Sequence, residues 1–398
     1  MFNKISFVTL GLLALPISVA RCDEPSSDQA TIGDQLTPEA TAIESELRNT
    51  LLPDSEAIAM LDAIVNGSTL SGDDGWFPLA KADGRPEWNK VVKKYDTDAD
   101  QEITLEEFKG TEADFSRLDR SGDKRLSQSD FDWTEHSLAP LPGQMMFFLA
   151  DRDANGKVTR DEFAHLFDAF ADGDTDYIAL DDLRTQFLPP PPGARRQRAD
   201  RPTPSTLIAS LKKQEIGSLN AGPSVGDIAP DFTLKSLAGE SVTLSKQIGE
   251  KPIVLIFGNF TCGPFRSQAG NIEKLYQRYN QRAKFFLVYV REAHPKDGWW
   301  MLSNQRAGID IAQPNEIGSR RIIAQQCQSH LNLDMPFLVD EIDDTVGSSY
   351  SGMPNRLYLI DQQGAVAFKS GRGPFGFHPR QLEQALILLL NEEHHAVK

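Results

Sequence analysis

One acidic pattern occurs three times in this chain and constrains its fold more than any other feature. Asp151, Asp153 and Asn155 alternate, Gly156 follows, Lys157 and apolar Val158 come next, and Glu162 closes the run before Phe163. Asp96, Asp98, Asp100, Glu102, Ile103 and Glu107 repeat it before Phe108, with Gln101 in the glycine position. Asp119, Ser121, Asp123, Arg125, Leu126 and Asp130 repeat it before Phe131, with Lys124 in that position. From 96 to 183 there are 23 acidic and 8 basic residues, so nearly all of the net charge of -16 lies here. A folded block this acidic needs a cation. The same balance excludes wholesale nucleic-acid binding, which needs a basic face.

Calcium takes six to eight hard oxygens. Loop positions 1, 3 and 5 supply side-chain oxygens, and position 7 (Glu102, Arg125, Lys157) supplies a backbone carbonyl. Position 12 (Glu107, Asp130, Glu162) closes the shell from the next helix. Position 8 is apolar because it pairs with the partner loop. Position 6 needs a positive φ, so a residue other than glycine there costs about 1 kcal/mol. The loop at 151 therefore ranks first, the loop at 96 second and the loop at 119 third. The pattern is that of an EF-hand, and three copies in register imply an all-α EF-hand domain. A fourth run, Asp172, Asp174, Asp176, Ile178 and Asp182, is one residue short. Two readings of it stand: a filled site, or a degenerate loop that only pairs with its neighbour. The spacing pairs 96 with 119 and 151 with 172, with one helix from Phe108 to Leu118 and another from Phe163 to Phe170.

The first residues form a charged n-region, an apolar run from Ile5 to Ala20 and a small-x-small end, as in a secretory signal peptide at 1–20. The expected destination is export to a periplasm or outside the cell. Cys22 could carry lipid only against Arg21 at the position that should be small, so membrane attachment needs a lipidated Cys22 or an uncleaved signal. Residues 21–50 read as a mobile leader, 51–188 as the EF-hand domain, and 189–224 as a proline-rich basic linker. The linker suggests a tether, and with it a structural or docking role for the metal. Three cysteines, Cys22, Cys262 and Cys327, are too few for a disulfide scaffold.

From 225 to 392 short β runs alternate with helical pattern, which reads as α/β. Ile253 to Phe257 is a continuous apolar run suited to a buried central strand. Cys262 follows it at a strand-to-helix turn, where free backbone N–H groups favour a thiolate. Pro264 suits the first helical turn. Pro354 precedes the strand from Arg356, where a thioredoxin-like frame holds a cis proline facing the cysteine. Phe265 stands where a Cys-x-x-Cys motif has its second thiol. Leu255 and Asn259 stand where a peroxiredoxin has proline and Thr/Ser. Simple dithiol–disulfide exchange is thereby disfavoured, and the peroxiredoxin signature is absent.

The residues that do match are Asn259-Phe260, Thr261-Cys262-Gly263-Pro264-Phe265, Tyr289, and the run Glu292-Ala293-His294-Pro295-Lys296-Asp297-Gly298-Trp299. Ser349-Tyr350, Asn355-Arg356-Leu357-Tyr358 and Gly371-Arg372-Gly373-Pro374 match as well. On these the block resembles the iodothyronine deiodinase family. The resemblance implies a thioredoxin-like domain and reductive dehalogenation with a thiol reductant. Cys262 would take the place of the catalytic selenocysteine, and His294, with Glu292 near it, would hold or protonate the substrate. Tyr289, Thr261 and Pro354 would line the substrate side, and Arg372 would pair with its carboxylate end. Sulfur in place of selenium implies slower turnover, and the family's short segment with its own cysteine is contracted here. Cys327 reads equally as a resolving thiol or as a small buried residue.

The whole is thus a multidomain chain, an all-α EF-hand domain followed by an α/β thioredoxin-like domain. The leading function is a calcium-binding, Cys-dependent dehalogenase of a small aromatic halide. The alternatives are a thiol peroxidase acting on a peroxide, and a calcium-binding module with an inactive thioredoxin-like partner.

Overall fold

A computed structural model describes residues 36–70, 82–133, 142–171, 176–180, 182–183, 201–373 and 376–396. The expected signal segment, Cys22, the proline-rich run to residue 200 and the start of the fourth acidic loop lie outside them.

The first helices are α1 (Pro38–Thr50) and α2 (Glu56–Val65), capped by Thr37 and Ser55. The acidic block holds α3 (Trp88–Tyr95), α4 (Leu105–Phe108), α5 (Glu112–Leu118), α6 (Gln128–Phe131), α7 (Pro142–Ala150) and α8 (Arg160–Phe170). A further helix, α9 (Pro204–Lys212), precedes the sheet. The remaining elements are β1 (Thr233–Ser236), β2 (Ser241–Thr243), β3 (Ile253–Gly258), α10 (Gly263–Ser267), α11 (Ala269–Tyr279) and β4 (Lys284–Tyr289). They continue with α12 (Leu302–Arg306), α13 (Ile317–Leu331), β5 (Phe337–Val339), α14 (Thr345–Ser349), β6 (Arg356–Ile360), β7 (Val366–Lys369) and α15 (Pro379–Ala396).

The seven strands form one sheet in the order β2-β1-β5-β4-β3-β6-β7. Strands β3, β4 and β5 run parallel, and β6 and β7 are antiparallel additions beside β3. Every residue of β3 is buried, as an unbroken apolar run in a central strand must be. A βαβ unit (β3, α10–α11, β4) followed by a hairpin (β6, β7) and a closing helix (α15) is the thioredoxin-like arrangement. Its first turn carries Cys262, and the Met353-Pro354 peptide just before β6 is cis.

Four sequence expectations change. Residues 38–50, expected within a mobile leader, form α1, because Ala40 and Leu47 have an apolar face to bury. Helices α1, α2 and α9 pack together around Leu47, Leu61, Ile64, Leu207 and Leu211, so α2 leaves the acidic block and α9 leaves the linker. The helix expected from Phe108 to Leu118 breaks at Lys109 (φ 55°) and Gly110, where a Cβ would meet the Phe108 ring at 2.3 Å. Thr111 then caps α5.

The two halves are not held by a tether alone. Val91, Tyr95, Phe108, Phe115, Leu118 and Phe131 join the same core as the sheet. Asp114 accepts from Arg282 (2.7 Å) and Tyr279 (3.3 Å) on or beside α11. Trp133 Nε1 donates to Gln384 at 2.9 Å, and Asn391 reaches the Tyr95 hydroxyl and the Phe108 carbonyl.

Candidate functional site

Cys262 is the N-cap of α10, 1% exposed, with its Sγ accepting from Asn355 Nδ2 at 3.1 Å. Burial pushes its thiol above the ordinary range. The Phe265 N–H, Asn355 and Arg266 work in the other direction, and Glu292 adds to the rise. At this turn desolvation therefore outweighs the helix-end donors.

Glu292 is the most heavily engaged acid nearby and is fully buried. Its Oε2 accepts from the Thr261 N–H (2.9 Å) and hydroxyl (2.8 Å), and its Oε1 from the Tyr289 hydroxyl. Burial raises its carboxyl despite these donors. The Tyr289 hydroxyl also accepts from the Phe260 N–H at 3.0 Å. Thr261 and Tyr289, expected on the substrate side, are thus buried supports for Glu292 and for the turn before Cys262. Pro354 offers its carbonyl to Asn259 at 3.0 Å.

His294 is half-buried. Its backbone N–H donates to Thr261 Oγ1 at 3.0 Å, which ties it to the cysteine turn. Its Nδ1 lies 3.1 Å from the Trp299 carbonyl, so Nδ1 carries the proton, and the two rings meet edge-on at 4.7 Å. Trp299 packs in turn against the α1–α2–α9 unit.

Arg372, expected to face a substrate carboxylate, is 3% exposed and already faces one from within the chain. Its Nε lies 3.1 Å from Glu56 Oε1 on α2, and Arg356 Nη2 lies 3.1 Å from Glu56 Oε2. Arg372 Nη2 also donates to the Ser218 carbonyl at 2.8 Å. Burial lowers the Arg372 guanidinium to about 10. Burial would raise the Glu56 carboxyl, but Arg372 and Arg356 outweigh it and hold it below its ordinary value. Cys327, on α13, is fully buried and unpaired with Cys262, and burial pushes its thiol well up.

In the acidic loops, ligand oxygens of Asp96, Asp98 and Glu107 come within 4.8 Å of one another, as do those of Asp151, Asp153 and Glu162. Asp119, Asp123 and Asp130 form no such group. There Asp130 is turned inward, accepting from the Arg120, Ser121 and Ser127 N–H groups. Ile103 and Leu126, the apolar positions of the first two loops, form an antiparallel bridge. The side chains of Asp100 and Glu102 are shared with Arg125. Asn155 accepts from the Lys157 N–H at 2.8 Å and donates to Asp153.

Asn355, Arg266, Asn304 and Glu56 escaped the sequence reading. Asn355 stood inside a quoted motif and was signalled there. Asn304 and Glu56 act across the fold and leave no local pattern, and Arg266, one helical turn after Cys262, lies outside the matched motif.

The fold and this turn define a thioredoxin-like α/β domain whose cysteine turn carries Cys262 and no second thiol. Comparison with known proteins narrows the class. Residues 203–389 match the family model described as iodothyronine deiodinase. Type I iodothyronine deiodinase of Xenopus laevis is 29% identical over 159 residues, 40% of this chain and 61% of that protein. Thyroxine 5-deiodinase of Gallus gallus is 32% identical over 40% of this chain and 60% of its own. The chain thus spans about three fifths of the length of these relatives. Among solved structures, a putative thiol:disulfide interchange protein from Chlorobium tepidum is 21% identical over 42% of this chain and 98% of its own, at a TM-score of 0.31.

Proposed function

We propose that the chain is an exported, calcium-binding protein whose C-terminal domain is a cysteine-dependent reductive dehalogenase of the iodothyronine deiodinase type. Its substrate is a small aromatic halide and its co-substrate a thiol reductant. The observation that carries the reading is Cys262 at the head of α10, held by Asn355 and joined through Thr261 to both Glu292 and His294.

The Cys262 thiolate attacks the iodine of an aryl iodide. The S–I bond forms as the C–I bond breaks, the electron pair stays on carbon, and a proton delivered from His294 completes the arene. A second thiol attacks the sulfur of the sulfenyl iodide, iodide leaves with the S–I pair, and a mixed disulfide forms. A further thiol reduces it and restores Cys262. Burial of Cys327 favours an external dithiol for both later steps. Iodide release from an iodinated phenol plus dithiothreitol, abolished in Cys262→Ser, tests the reading; equal release from both proteins overturns it. The 1% exposure of Cys262 favours a second reading, a thiol peroxidase, because a small peroxide reaches a buried sulfur more easily than an aryl ring does. Dithiol-dependent peroxide consumption without iodide release would select it.

Calcium is proposed for the loops at 96 and 151. Their all-oxygen, carboxylate-rich donor sets suit a hard cation. The Thr104 and Thr97 N–H groups hold the Glu107 carboxyl down to about 2, so it stays ionised for that role. Calorimetric titration with calcium chloride should show binding that weakens in Glu107→Gln and Glu162→Gln.

A further inference from the structure

We propose that Arg266 is a positioning residue for Cys262, and that the acidic loop 151–162, seated directly on it, makes the reactivity of that thiol depend on a divalent cation. The inference rests on the reading of Cys262 as the nucleophile and deepens it.

Arg266 lies one helical turn after Cys262 and is 2% exposed. Three successive carbonyls of the cysteine turn depend on it. Its backbone N–H donates to the Cys262 carbonyl at 3.1 Å. Its Nη1 donates to the Phe260 carbonyl at 2.5 Å. Its Nη2 donates to Asn304 Oδ1 at 2.8 Å, and Asn304 Nδ2 donates in turn to the Thr261 carbonyl at 2.8 Å. A rigid guanidinium fork with its neighbours thus fixes residues 260–262 as a unit.

The third guanidinium nitrogen, Nε, reaches out of the domain. It points to the Ala154 carbonyl at 3.3 Å, inside the acidic loop. A second strut stands beside it: His330 Nε2 donates to the Asp153 carbonyl at 3.0 Å, and the His330 ring packs 5.2 Å from that of Phe260. Lys157 Nζ closes the seat on the Asn332 carbonyl at 2.8 Å. The contact is backbone against backbone. A Cβ on Gly156 would lie 2.0 Å from the Arg266 carbonyl, and one on Gly270 would lie 2.5 Å from the Gly156 carbonyl. Gly156 has φ +77°, so the same residue serves the loop's turn and its docking.

The two carbonyls that meet the thioredoxin-like domain, Asp153 and Ala154, lie between the ligand side chains of Asp151, Asp153 and Asn155. A cation that gathers those side chains fixes the backbone between them. It also neutralises carboxylate charge that Arg266 feels from Asp151. The charged groups facing Cys262 are Arg266, which favours its thiolate, and Glu292, which opposes it, with the Asn355 amide and the Phe265 N–H as dipoles. A loosened Arg266 weakens the first of these and leaves Glu292 in place.

The test is the pH profile of Cys262 alkylation by iodoacetamide, read by mass spectrometry on the full chain in calcium chloride and in EGTA. EGTA should move the midpoint upward and slow alkylation at pH 7 about fivefold. Arg266→Met should start at the slower level and no longer respond to EGTA, and Arg266→Lys should recover part of the rate. The calcium–EGTA comparison needs no variant, so it stands even where Arg266→Met fails to fold. An identical midpoint in calcium and EGTA overturns this inference and leaves the nucleophile reading intact. A Cys262 that resists iodoacetamide at every pH overturns both.

Discussion

At Cys262, burial and hydrogen bonding oppose each other. Desolvation raises the thiol, and the Asn355 amide and the Phe265 N–H bring it part of the way back. Asn355→Leu removes a donor that favours the thiolate. Its alkylation midpoint should therefore rise further, and a fall in a pH-rate profile would contradict the assignment. The Glu292 carboxylate receives three donors. Glu292→Gln turns an NH₂ toward one of those donors, so one buried group loses its partner. The expected loss is about 1–3 kcal/mol by urea denaturation. The cysteine, the histidine and the glutamate were all legible in the sequence, because their motif is local. What they touch was not. Thr261 and Tyr289 were expected to meet substrate, and they brace Glu292 instead, since only the sheet register shows that Tyr289 sits opposite Gly258.

Element by element, legibility followed the range of the interactions. Strand β3 and helix α8 were readable from apolar periodicity and from Thr159 with Glu162, a capping box. The break between α4 and α5 was not, because it depends on the Phe108 ring closing over Gly110. The partners of helix α2 were not legible in the sequence. Its Glu56 answers two guanidiniums that are distant in sequence, Arg356 and Arg372. Glu56→Ala leaves both without their carboxylate and should cost about 3 kcal/mol in a chemical melt. The Glu56 carboxyl is held below its ordinary value of 4.5 in the folded chain. Its contribution is therefore present above that value and lost as pH falls through the folded-state value. Acid titration of wild type and Glu56→Ala should converge there, and parallel curves would refute the pairing.

In the whole molecule, the first half of the acidic block, from Val91 to Phe131, and the sheet share a core, so these two should unfold together. Calorimetry should show one transition, with near-ultraviolet and far-ultraviolet signals coincident. Two separated transitions would contradict the shared core. The same packing bears on how the protein can be taken apart. A proline-rich stretch invites a protein chemist to cut there and keep the enzyme-like half. The bonds described above make that cut expensive: a fragment from 203 onward loses Glu56 from its arginines, Asp114 from Arg282 and the Ala154 carbonyl from Arg266. Such a fragment would be an amputated surface rather than a liberated domain, and what it fails to do would say little about the intact chain.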